Sequence, residues 1–186
     1  GSTYLDRSSV SRNSARYGGG FLNQGTMYID GSSLSENRSE STGGGGGAGE
    51  NGPSGVLNVN NSTLSNNQST EIGGAINNYQ GKLRVLNTSF TGNVAYGSYA
   101  GGAIGNNNGR VDIANSAFAY NFRRTTGNVG NPTGYVLDDV GANGQFVSGA
   151  GVSLSYSTYQ SALPSAVTAG RGNQQYVETS ATPGTT

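Results

Sequence analysis

Apolar residues in this chain come in short alternations with polar ones, and each alternation runs on to an asparagine. Leu83 and Val85 alternate with Lys82 and Arg84, and Val111 and Ile113 alternate with Arg110 and Asp112. A period of two puts the apolar members on one face of a β-strand. The stretches "TYLDRSSVSRN", "MYIDGSSLSEN", "LNVNNSTLSNN", "LRVLNTSFTGN" and "VDIANSAFAYN" share this form and end at Asn13, Asn37, Asn67, Asn93 and Asn121. Successive endings lie 24, 30, 26 and 28 residues apart. "VSLSYSTY", Val152 to Tyr159, is a sixth copy without the final asparagine. No copy shows helical spacing, and glycine is too frequent for helices to persist.

Repeats of this length that tolerate insertions predict a solenoid. If each repeat is one coil of two or three short strands, equivalent residues fall into columns. Thr3, Met27, Leu57, Leu83, Val111 and Val152 form the first. Leu5, Ile29, Val59, Val85, Ile113 and Leu154 form the second, and Val10, Leu34, Leu64, Phe90, Phe118 and Tyr159 the third. Stacked coils would join these columns into apolar ladders inside a tube, each strand pairing with its equivalent about 4.8 Å away. The expected fold is therefore all-β, a parallel β-helix of about six coils with inserted loops.

The asparagine column has its own logic. Asparagine tolerates left-handed backbone at a sharp turn, and stacked amides can donate and accept along a column. The pairs Gly19-Gly20, Gly73-Gly74 and Gly101-Gly102 are expected at another tight corner, where a Cβ would obstruct.

Composition agrees with a narrow core. Only 32% of the 186 residues are apolar and 33 are glycine, a balance that suits either disorder or a repeat fold; the periodicity selects the repeat fold. Ten basic residues balance ten acidic ones, which argues against nucleic acid as a partner. Cysteine, histidine and tryptophan are absent. That removes disulfides, thiolate metal sites, the usual general base and the best sugar-stacking ring. No apolar run approaches the roughly 18 residues of a membrane helix, so no membrane insertion by this segment is expected. The chain starts within its pattern, as a piece of something longer would.

Gly-Gly-Ala-Ile followed by Phe-x-x-Asn occurs in tandem at Gly73–Ile76 with Phe90–Asn93 and at Gly101–Ile104 with Phe118–Asn121. "GGGF" at Gly18–Phe21 with Leu34–Asn37 is a looser copy. This pattern, over roughly residues 1–121, resembles the repeats of polymorphic outer-membrane proteins and related bacterial β-helix surface proteins. The resemblance implies a right-handed parallel β-helix in a secreted passenger or adhesin-type protein.

A β-helix domain is expected over 1–160, with an irregular insertion at 122–149 and a C-terminal extension or linker at 161–186. "STGGGGGAGENGPSG", Ser41 to Gly55, lacks the flanking strand and Lys-Ser/Thr of a phosphate-cradling loop and is expected to be a mobile surface loop. The insertion, with Arg123, Arg124, Asp138 and Asp139, packs over the tube on one view and carries recognition on another.

Right-handed β-helices also include pectate-lyase-like enzymes, which gather acidic and basic groups on one exposed strand face. Asp112 with Arg84 and Arg110 is the candidate constellation here. Asp6 and Asp30 share a column, but it continues as Asn60, Leu86 and Ala114, so no acidic stripe forms. Neither set has the converging groups of an acid–base pair, and no catalytic residue is assigned. No cofactor is assigned either; calcium, which suits amide oxygens on turns, is the one alternative, at Asn106 to Gly109. Asn37, Asn61 and Asn87 begin glycosylation sequons.

These features together predict a non-enzymatic extracellular structural or adhesive module, a rigid rod at a bacterial cell surface or in a secreted fibre. Its expected partner is a protein or glycan surface ligand, with end-to-end self-association as a variant because coil ends expose unpaired strand edges. The alternatives are a polysaccharide lyase or hydrolase and a carbohydrate-binding module.

Overall fold

The computed structural model describes residues 1–97 and 101–124 and, beyond them, the backbone of six short strands. The first coil is β1 (Ser2–Asp6), β2 (Ser9–Ser11), β3 (Ser14–Ala15) and β4 (Phe21–Asn23). The second is β5 (Thr26–Asp30), β6 (Ser33–Ser35), β7 (Arg38–Ser39) and β8 (Gly49–Asn51). β9 (Val56–Asn60), β10 (Thr63–Ser65), β11 (Gln68–Ser69) and β12 (Ile76–Tyr79) make the third. The fourth is β13 (Lys82–Leu86), β14 (Ser89–Thr91), β15 (Val94–Ala95) and β16 (Ile104–Asn107). A fifth opens with β17 (Arg110–Ala114), β18 (Ala117–Ala119) and β19 (Phe122–Arg124).

Equivalent strands of neighbouring coils pair in parallel, which builds four sheets around one narrow core. The molecule is a parallel β-helix. Its register is the one the sequence columns predict: Met27 lies opposite Leu57, Val85 opposite Ile113, and Phe90 opposite Phe118. All of Ile29, Leu34, Val59, Leu64, Val85, Phe90, Ile113 and Phe118 are buried. Leu5 and Val10, in the terminal coil, pack against this cluster and are only partly covered. Phe90 and Phe118 stack with ring centres 4.8 Å apart and planes within 4°, an arrangement that follows directly from parallel, in-register pairing.

Each coil has four strands, where the sequence pattern predicts two or three. The strands that alternation reveals belong to the first two sheets. Those of the third are mostly two residues long, and those of the fourth start from glycine-rich corners, so neither shows a period. Four coils are complete among the described residues, against about six predicted. β22 (Val152–Ser155) pairs with β17, placing Val152 and Leu154 opposite Val111 and Ile113 as the columns require. β23 (Thr158–Tyr159) pairs with β18.

The expected insertion at 122–149 begins as regular structure, because β19 continues the third sheet beside β15. β20 (Tyr135–Leu137) pairs antiparallel with β19, and β21 (Val140–Ala142) joins β16. In the expected extension from 161, β24 (Val167–Ala169) and β25 (Gln174–Gln175) pair with β22 and β23. The remainder of both segments, including Asp138 and Asp139, lies outside the described residues.

The glycine-rich stretch from Ser41 is not the surface loop that its composition predicts. Gly44 through Gly49 are buried, and Gly49 lies opposite both Phe21 and Ile76. Gly46-Gly47-Ala48-Gly49 is therefore another copy of Gly73-Gly74-Ala75-Ile76. The missing side chain at Gly49 makes room for the Phe21 ring, so one aromatic fills the space of two apolar residues. Only Thr42 and Gly43, and Pro53 and Ser54 at the far end of the stretch, are exposed.

The same alignment shifts the first glycine pair to Gly18-Gly19. Gly18, Gly46, Gly73 and Gly101 all have φ between 56° and 75°, the left-handed region open to glycine. Their neighbours Gly19, Gly47 and Gly74 have a different constraint: a Cβ on each would run into the carbonyl oxygen of the equivalent glycine one coil on. One glycine turns the chain and the next lets backbones touch.

Gly74→Ala should cost about 3 kcal/mol or more, since backbone on both sides must move. Gly43→Ala, which meets open space, should stay within about 0.5 kcal/mol. Urea denaturation of the two variants checks the contrast.

Candidate functional site

Two kinds of polar constellation stand out: lines of side chains buried between coils, and a charged strip on the outer face of the first sheet. The buried lines come from the turns. Asn13 Nδ2 donates to Asn37 Oδ1 at 3.0 Å, Asn37 to Asn67 at 3.1 Å, Asn67 to Asn93 at 3.0 Å and Asn93 to Asn121 at 2.9 Å. Each receiving oxygen also accepts the backbone N–H of the asparagine before it. The amide of Asn67 donates as well to the Leu34 carbonyl, and that of Asn93 to Leu64. All four of Asn37, Asn67, Asn93 and Asn121 are fully buried.

The predicted ladder is present, but its asparagines do not make the left-handed turn. That conformation belongs to the preceding residue in every coil: Arg12, Glu36, Asn66, Gly92 and Tyr120, with φ between 54° and 65°. The turn there holds the following amide inward, and the ladder bonds offset the strain at residues such as Glu36. Burial also removes Asn37 as a glycosylation acceptor, whereas Asn61 and Asn87 stay exposed.

Two further lines escaped the sequence analysis. Asn23, Asn51, Asn78 and Asn106 form a second amide ladder at the end of the fourth sheet, with bonds of 2.7, 2.8 and 2.9 Å. Its signal was available in asparagines spaced 28, 27 and 28 residues apart. A hydroxyl line runs through Ser32, Ser62, Thr88 and Ser116, each accepting a backbone N–H from the coil before and donating to the carbonyl two residues earlier. The segment considered for calcium serves this architecture. Asn106 accepts from Asn78 and donates to the Gly109 carbonyl at 2.8 Å.

On the outside, alternation leaves three columns on the first sheet. Ser2, Thr26, Val56, Lys82 and Arg110 form one, Tyr4, Tyr28, Asn58, Arg84 and Asp112 the next, and Asp6, Asp30, Asn60, Leu86 and Ala114 the third. The structure thus brings Arg84, Arg110 and Asp112 together as predicted, and adds Lys82, which the sequence analysis passed over. Arg110 Nε and Nη2 donate to the two carboxylate oxygens of Asp112 at 2.8 and 3.2 Å. The hydrogen bond to Asp112, helped by its charge, holds the Arg110 guanidinium above its usual range. A shallow groove of about 270 Å³ opens here, bordered by Val56, Asn58, Lys82, Arg84, Arg110 and Asp112. At the other end Tyr4 and Tyr28 stack with ring centres 4.9 Å apart.

The other acidic candidates stay separate. Asp6 is paired with Arg7 at 3.2 Å, and Asp30 accepts from Asn61 at 2.8 Å. Glu36 is held below its usual range by a hydrogen bond from Arg12, and Glu71 is pushed up by burial. No cluster of three or more metal-ligating His, Cys, Asp or Glu residues occurs among the described residues.

No protein-family model, characterised protein or solved structure matches this chain, so its interpretation rests on its own residues and geometry.

Asn67→Ala would strand the Asn37 amide and N–H together with the Leu34 carbonyl, and should cost at least about 3 kcal/mol. Exposed Ser33→Ala should cost under about 0.5 kcal/mol; chemical denaturation separates them. Because the folded Glu71 carboxyl sits above its ordinary value of 4.5, its contribution is complete below that pH and is lost as pH rises through the raised value. Glu71→Gln should therefore raise the urea midpoint near pH 7 and leave it unchanged below about pH 4.

Proposed function

We propose that the chain is a non-enzymatic extracellular module, structural or adhesive, in which a rigid β-helix presents its outer faces to a protein or glycan surface. The observation that carries this reading is the assignment of its buried polar groups. Two amide ladders and a hydroxyl line bind each coil to the next, so these side chains stiffen a scaffold instead of converging on a reacting centre. A stiff support with alternating outward positions is a suitable base for recognition, since ligand contacts then need little ordering on binding.

The resemblance of Gly101–Ile104 with Phe118–Asn121 to polymorphic outer-membrane repeats supports placing the module at a bacterial cell surface or in a secreted fibre. End-to-end association, through the unpaired strand edges that a stack of coils exposes wherever it ends, is a variant of the proposal. A second reading, a polysaccharide lyase or hydrolase, is favoured by Asp112 lying beside Arg84 and Arg110 on one outer face. The bidentate pairing of Asp112 with Arg110 weighs against it, because it ties the carboxylate to a structural partner.

The test is to incubate the full chain with polygalacturonate and alginate, with and without calcium, and in parallel to measure its retention on panels of glycans and matrix proteins. Retention on a panel without unsaturated products or new reducing ends is the expected result. Product formation would favour the second reading.

A further inference from the structure

The outer face of the first sheet changes character along the coil axis. Its first two columns are uncharged through β1, β5 and β9, with Ser2, Tyr4, Thr26, Tyr28, Val56 and Asn58, and then become ionic at β13 and β17, while the third column carries Asp6 and Asp30 at the β1 and β5 end and no charge at β13 and β17. There three cations, Lys82, Arg84 and Arg110, meet one carboxylate, Asp112. Lys82 and Arg110 are direct in-register neighbours, a placement in which like charges repel across adjacent strands. Asp112 engages Arg110; Lys82 and Arg84 are exposed and form no ion pair among the described residues. In a chain with formal charge zero, this local excess of cations among the described residues suits an anionic ligand.

We infer that the groove between β9 and β17 binds the acidic groups of a carboxylated or sulfated polysaccharide lying along the coil axis. The proposal rests on the adhesive reading above and assigns it a site. Val56 and Asn58 are shorter than Lys82 and Arg84 in the next coil, and that step opens the groove of about 270 Å³. An arginine fork and an ammonium side by side suit a carboxylate or sulfate. Toward β1 the columns offer hydroxyl and amide groups from Thr26, Tyr28 and Asn58, which suit a hydroxyl-rich polymer. The tyrosines do not provide a sugar platform, since Tyr4 and Tyr28 stack on each other within 8° and turn their faces along the axis. An acidic peptide fits less well: β13 is already paired on both sides, so no strand edge is open for peptide backbone.

The full chain, immobilised, is titrated with polygalacturonate, dextran sulfate, neutral dextran and poly-glutamate. Binding of either acidic polysaccharide, with dextran silent and poly-glutamate at least tenfold weaker, is expected; the tighter of the two identifies carboxylate or sulfate as the group recognised. The double variant Lys82→Ser/Arg84→Ser should weaken binding on the order of a hundredfold, at about tenfold per charged hydrogen bond lost. Asp112→Asn, which releases Arg110, should tighten binding severalfold, a gain that misfolding cannot imitate. Equal binding of dextran or poly-glutamate, or affinities unchanged in both variants, overturns the site. If those affinities are unchanged while retention on the glycan and matrix panels persists, only this site fails; if polymer is cleaved, the non-enzymatic reading fails and groove binding is judged by the variants alone.

Discussion

Burying a side-chain amide in a core this narrow is costly unless its oxygen and its N–H groups find partners, because an unanswered buried polar group costs about 1–3 kcal/mol. In this fold the partner is the same residue one coil away. The requirement is stricter than hydrophobic burial. Leu64 tolerates some sliding against Leu34 and Phe90, but Asn67 must meet Asn37 on one side and Asn93 on the other. A slip of one residue in any coil would turn its apolar columns outward and break two amide ladders and a hydroxyl line at once. The ladders make the register a discrete choice.

The corners serve that choice. Left-handed backbone at residues such as Arg12, Glu36 and Tyr120 is costly for side chains of those types, on the order of 1 kcal/mol each. It recurs because the turn must deliver the next residue, always asparagine, into the interior. Glycine pairs turn another corner and let backbones of successive coils touch. Extra length is absorbed where it leaves these contacts alone, as at Thr42 and Gly43, so coils of unequal length still stack in register.

What could be read beforehand follows from which parts have a period. Leu83, Val85 and Phe90 were legible as inward positions, and Asn93 as a ladder member, because alternation and a fixed ending mark them in every copy. The third and fourth sheets were hidden: a strand such as Val94–Ala95 is too short to alternate, and the copy at Gly46–Gly49 replaces isoleucine with glycine and so looks like low complexity. The second ladder was missed for the same reason, since Asn51 sits in that glycine-rich stretch. Residue type misled at the turn, where asparagine's tolerance of left-handed backbone suggested Asn93, though the bend falls on Gly92. Outside, alternation placed Arg84, Arg110 and Asp112 on one face. Lys82 acquires its meaning only from the register that sets it beside Arg110.

The link from architecture to role runs through rigidity: a scaffold whose coils are bonded by buried amides holds its outer columns in fixed relative positions, and groups on separate coils can then act as one surface. Side-chain amide hydrogen exchange followed by NMR tests the foundation most directly. The Nδ2 hydrogens of Asn37, Asn67, Asn93, Asn51 and Asn78 should exchange only as fast as the whole molecule unfolds, while those of exposed Asn61 and Asn115 exchange freely. Ladder amides exchanging as fast as Asn61 in the folded protein would show that the lines between coils are not closed, and would contradict the account.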